Sequence, residues 1–162
     1  MSNMPLNLLL FQEQVAELLQ THRMSEMVGA PLDVTWHKCQ TGVRTAVTGE
    51  LSISVHHARH SQLCYGCVLY YRDQALLGVS GDSGYHVPLY HAIGQARTVF
   101  IDAREKSSED HASYDQIRQF IAAHWPARDS VWIYHHNEHV PEHVTGLQLA
   151  RTGQCFVLYS DE

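Results

Sequence analysis

The period of the apolar positions changes several times along this chain, and each change marks a predicted element. Leu8, Phe11, Val15, Leu18, Leu19 and His22 recur three and four residues apart. That is the period of one helix face, so an amphipathic helix is predicted over roughly residues 5 to 28, ended by Gly29-Ala30-Pro31. β-branched residues then dominate DVTWHKC (33–39) and VRTAVTGELSISV (43–55), which predict a hairpin joined by Gln40-Thr41-Gly42. HHARHS (56–61) is a polar break. A second hairpin is predicted from QLCYGCVLYYR (62–72) and ALLGVSG (75–81), which flank Asp73-Gln74.

GDSGYHVP (81–88) has the turn formers of a loop. Leu89, Ile93, Ala96 and Phe100 then share a helical face, predicting a helix over 89–105, although RTVFIDA within it also suits a strand. After the polar linker KSSEDHA (106–112), Ser113-Tyr114-Asp115-Gln116 fits a capping box ahead of the buried stripe Tyr114, Ile117, Phe120 and Ile121. Trp125-Pro126 stops that helix. SVWIYHH (130–136) predicts a strand, Pro141 opens a helix over PEHVTGLQLAR (141–151), and QCFVLYS (154–160) predicts a last strand after Gly153.

The length of 162 residues fits a single domain over 1–162, with the N-terminal helix in 1–30 and an α/β core in 31–162. A hydrophobic content of 44% with only 17% charged residues belongs to a folded chain. The formal charge of -6, with 11 scattered basic residues, argues against a protein that covers nucleic-acid phosphates. Protonation of the 13 histidines would reverse that sign, so surface charge should vary steeply at mildly acidic pH. The short apolar run at the start lacks a basic leader and the length of a membrane span, so a cytoplasmic protein without a membrane partner is expected. In that setting Cys39, Cys64, Cys67 and Cys155 are expected as free thiols.

Two stretches place polar groups where a helix is predicted to begin, and helix starts favour anions and deprotonated ligands. One runs from His86 to His91, with Asp82 at the mouth of any pocket there; the other is HHNEHVPEH (135–143). If the two junctions face one another, His86, His91 and Asp82 line a ligand pocket. His91, His139 and His143 would then supply three imidazoles and leave one open position, the arrangement of catalytic zinc, with Glu138 or Glu142 as general base. The His-Glu-x-x-His pattern of zinc proteases is absent, and a chain with 13 histidines also forms such clusters without function.

Other motifs carry less. His56, His57 and His60 are expected in an exposed loop. Cys64 and Cys67 lie three apart in a predicted strand, which turns them to opposite faces, so they are expected as small core side chains. Gly81-Asp82-Ser83-Gly84 echoes the surroundings of a serine-protease nucleophile but occurs in a chain too short for that fold, and Asp102 and Glu105 are expected on a solvated helix face.

From residue 62 to 160 the order of elements resembles the cytidine and nucleoside deaminase-like fold. In that family a hairpin precedes a helix bearing His-Ala-Glu or Cys-Ala-Glu, and a strand then ends in Pro-Cys-x-x-Cys at a second helix. Here the hairpin is followed by His91-Ala92-Ile93, and SVWIYHH by Glu138-His139-Val140-Pro141-Glu142-His143. The resemblance implies a three-layer α/β/α domain with a mixed sheet, extended by the N-terminal helix and hairpin. The family's proton-shuttling glutamate falls at Ile93, its first cysteine at Val140 and its second at His143. An isoleucine moves no proton, so the resemblance implies a small-ligand-binding domain without deaminase activity. The two alternatives are the histidine-liganded, zinc-dependent hydrolase and a non-enzymatic protein that forms a homodimer through the tyrosine-rich hairpin CYGCVLYYR or the N-terminal helix.

Overall fold

The computed structural model describes residues 6–10, 34–136 and 145–158. Strands β1 (Leu6–Leu10) and β2 (Val34–Lys38) pair in parallel as a two-stranded sheet. The main sheet contains β3 (Thr45–Ala46), β4 (Leu51–His57), β5 (Tyr65–Tyr71), β6 (Gln74–Val79), β7 (Thr98–Arg104), β8 (Ala112–Ser113), β9 (Val131–Tyr134) and β10 (Gln148–Leu149). Its order is β10-β9-β7-β6-β5-β4-β3, with β8 beside the end of β7. Strands β3 to β6 form an antiparallel meander, whereas β6, β7, β9 and β10 run parallel.

Parallel neighbours need crossovers, and two helices supply them. Helix α1 (Val87–Ile93) links β6 to β7, and α2 (Tyr114–His124) lies between β7 and β9. Alternation along the strands sends Val99, Ile101, Val131 and Ile133 to one face, where they meet Leu89, Tyr90 and Ile93 of α1 and Ile117 and Phe120 of α2. One continuous core results, with both helices on the same face. Each fully buried side chain of this kind contributes roughly 1.5–3 kcal/mol. Gly78 allows the close approach: a Cβ there would lie 2.4 Å from the carbonyl oxygen of Ile93. The opposite face carries a smaller cluster of Cys39, Ile53 and Val55, and Phe156 packs edge-on against Phe100 and Trp132. No helix of the described residues is long and apolar enough to cross a membrane.

The second predicted hairpin is observed as β5–β6, and the capping box is complete: Ser113 Oγ accepts from Gln116 N while Gln116 Oε1 accepts from Ser113 N. Five expectations are corrected. Leu6–Leu10 is a strand rather than the start of a helix, because strand pairing with β2 overrides the helix propensity of leucine, which is only a weak prior against tertiary context; the rest of the predicted helix, residues 11–28, lies outside the described residues. The first hairpin turns within 46–51, where Val47 N and Thr48 N both donate to Leu51 O, and β2 pairs with β1 instead. The helix predicted over 89–105 ends at Ile93 because Arg128 donates to the carbonyls of Gly94, Ala96 and Arg97, which a continuing helix would need, and Thr98–Arg104 becomes β7. Gln148 and Leu149, predicted as helical, pair with Trp132 and Ile133, while residues 154–158 form no strand.

Candidate metal centre

Parallel strands deliver their C-terminal ends to one edge of a sheet, where ligand groups gather. At that edge of β7, alternation turns Ile101 and Ala103 toward the helices and Asp102 to the opposite side. Asp102 is completely buried. The Ser80-Gly81-Asp82-Ser83-Gly84 turn after β6 wraps around it. Gly81 has φ +64, and a Cβ on it would meet the Tyr65 carbonyl oxygen at 2.4 Å, so the turn requires glycine. Ser80 Oγ accepts from Asp102 N at 2.9 Å, and Ser83 N donates to Asp102 Oδ2 at 3.1 Å.

Two imidazoles complete the group. His111 precedes β8 in a loop held by Ser108 Oγ, which accepts from the backbone N–H groups of Asp110 and His111. Its Nδ1 lies 2.6 Å from Asp102 Oδ2. His135 follows β9 with φ 57, a conformation uncommon outside glycine and one that marks stored strain. Its Nδ1 lies 3.1 Å from Asp82 Oδ1 and 3.5 Å from Asp102 Oδ1, while Arg104 Nη2 lies 2.9 Å from its Nε2. Asp102, His111 and His135 each offer a ligand atom, all within 4.8 Å of one another.

The electrostatics of the centre are uneven. Burial pushes the Asp102 carboxyl up, opposed by hydrogen bonds from His111 and Ser83. Its Oδ2 is engaged twice, but its buried Oδ1 has no hydrogen-bond partner among the described residues. Burial also raises the Tyr134 phenol, and it raises the neighbouring Cys64 thiol with help from the charges of Asp82 and Asp102, so both stay protonated at neutral pH. His60 stands on the far side of His111, ring centroids 6.4 Å apart, with its Nε2 3.8 Å from Asp110 Oδ1. A cleft of about 460 Å³ beside the centre is lined by His135, His136, Ala150, Arg151 and Thr152.

The residues singled out from the sequence are distributed differently. Asp82 stands at the mouth of the centre against His135. His86 is the N-cap residue of α1, its Nδ1 buried without a hydrogen-bond partner among the described residues. The exposed ring of His91 packs against His124 and Phe120, with centroids 4.9 and 5.5 Å away, outside the Asp102 group. Glu138, His139, Glu142 and His143 lie outside the described residues. Asp102 was expected on a solvated helix face and is instead a buried strand residue. His56 and His57, expected in a loop, end β4. His111 falls within the polar linker predicted over 106–112. A lone carboxylate at the end of the apolar run VFI was the available signal for this centre.

No protein-family model matches the chain, and no curated protein does. Solved structures resemble it. The metallo-beta-lactamase fold protein YhfI from Bacillus subtilis matches 93% of this chain at a TM-score of 0.65 with 10% identity. Human tRNase Z, short form, matches 98% at a TM-score of 0.65 with 11% identity. Igni18, a metallo hydrolase from the archaeon Ignicoccus hospitalis, matches 88% at a TM-score of 0.57 with 13% identity. The chain spans 64% of YhfI, 63% of Igni18 and 70% of tRNase Z. At such identities the likeness is one of fold, and it replaces the deaminase resemblance: this α/β chain shares its architecture with metallo-beta-lactamase fold proteins. The deaminase likeness rested on element order, which a hairpin leading into a parallel sheet reproduces in unrelated folds.

Proposed function

We propose that the chain is a metal-dependent hydrolase whose ion is held by Asp102, His111 and His135. The observation that carries this reading is the buried Oδ1 of Asp102, which accepts no hydrogen bond from the described residues and faces His135 Nδ1 at 3.5 Å. A buried carboxylate oxygen without a donor is costly, and a cation is the partner that would satisfy it. Two imidazoles with one carboxylate is a donor set of catalytic zinc, which makes zinc the proposed ion. Structural likeness to Igni18, described as a metallo hydrolase, supports a metal at this site.

When bound, such an ion lowers the pKa of a coordinated water and polarises the bond to be cleaved. The chain's own residues do the rest. Ser83 N holds the Asp102 carboxylate, which in turn fixes the His111 ring, and the turn at Gly81 brings Asp82 to the solvent side of His135. Asp82 Oδ1, partly exposed there, is the proposed acceptor for the proton released by the attacking water. The cleft lined by His136, Arg151 and Thr152 is the proposed substrate entrance.

The test is hydrolysis of chromogenic esters and phosphodiesters by zinc-loaded protein. Turnover that depends on zinc and is lost in Asp102→Asn and His135→Ala, with folding retained, is expected. Turnover that persists in both variants contradicts the assignment.

A further inference from the structure

Building on that metal site, we infer that Arg104 and a metal ion are mutually exclusive partners of His135, so the guanidinium is the resident cation of the metal-free centre and loading displaces it.

The argument is one of hydrogen-bond accounting. A guanidinium has five donors and no acceptor. At 2.9 Å from Arg104 Nη2, His135 Nε2 must therefore present its lone pair. The ring proton then sits on Nδ1, where it meets Asp82 Oδ1 at 3.1 Å and faces Asp102 Oδ1 at 3.5 Å. That proton occupies the very nitrogen that faces the carboxylates. A metal on Nδ1 needs its lone pair, and the proton of the neutral ring must then move to Nε2, where an N–H would oppose an N–H of Arg104. A metal on Nε2 would take the atom that Arg104 already holds. Either way the guanidinium must leave.

Charge leads to the same result. Asp82 and Asp102 flank His135, and the Arg104 cation stands at the opposite edge of its ring. A divalent ion would serve the same carboxylates and repel the guanidinium. Arg104 is also poorly anchored: its Nε is buried without a hydrogen-bond partner among the described residues. Among the described residues, the other charged or titratable groups around it are Glu105 on the same strand end, His111 beside His135, and Tyr114, which feels the Arg104 charge.

The experiment is zinc affinity of the full chain, measured by competition with a chromophoric chelator, for wild type, Arg104→Gln and Arg104→Lys. Glutamine offers a carbonyl that can accept from Nε2–H, whereas lysine keeps a donor-only cation. Arg104→Gln should bind zinc at least about tenfold more tightly than wild type, the scale of one charge-assisted hydrogen bond, with Arg104→Lys near wild type. Equal affinities for all three would leave the metal site standing and overturn the competition, as would weaker binding by Arg104→Gln. Zinc binding by none of them would overturn both. Should Arg104→Gln not fold, nitrogen NMR of metal-free wild type decides: the His135 proton on Nδ1 supports the competition, and on Nε2 overturns it.

Discussion

Asp102 carries an internal conflict that makes it the most informative single residue. Its carboxylate is fully buried, and burial raises its pKa despite two hydrogen bonds. Between the ordinary carboxylate value and the raised one, the folded chain holds a proton that the unfolded chain has released. The contribution of Asp102 to stability is therefore largest below the ordinary range and is lost as pH rises through the folded value. Metal-free Asp102→Asn should then melt above wild type at neutral pH, and the gap should close as pH falls below about 4, the ordinary carboxylate value, where the wild-type carboxyl becomes protonated in both states. A gap that does not change with pH would show that Asp102 titrates normally. His111 is the reciprocal case: its Nδ1 supplies the shortest hydrogen bond to that carboxylate, at 2.6 Å. Replacing it with Ala should destabilise the metal-free fold by roughly 1–3 kcal/mol, measured by denaturant titration at neutral pH.

At the scale of elements, stability rests on local devices and on close packing, and each has its own test. Ser113→Ala removes one half of the capping box that starts α2 and should cost about 1 kcal/mol in urea unfolding, with the metal centre unaffected. Gly78→Ala forces a methyl against the Ile93 carbonyl, a backbone group that cannot turn aside, and should cost about 1–3 kcal/mol or more. Only the first of these was legible in the sequence. The capping box and the β5–β6 hairpin follow from residues within a few positions of one another, so pattern alone reveals them. The end of α1 depends on Arg128, 34 residues beyond the Gly94 carbonyl it binds, and nothing near Gly94 announces it. Leu6–Leu10 and Gln148–Leu149 are strands because a distant strand offers them a parallel partner. The sequence also pointed to the stretch around His135 but not to its partners. Asp102 and His111 reach it through β7 and the loop before β8, across 33 and 24 residues of chain.

For the whole molecule, the sheet is a device for gathering three distant segments at one edge: the turn at Asp82, the strand end at Asp102 with its loop to His111, and the strand end at His135. A ligand that binds only the gathered arrangement stabilises it by mass action, so zinc at about 100 times its Kd should add roughly 2.7 kcal/mol to unfolding. The most direct measurement is zinc stoichiometry by elemental mass spectrometry of the purified full chain, in parallel with Asp102→Ala and His135→Ala. One tightly held ion per chain in wild type, lost in both variants while circular dichroism shows them folded, is the predicted result. Wild type that holds no ion after zinc loading, or variants that hold it as well as wild type does, would contradict the metal centre.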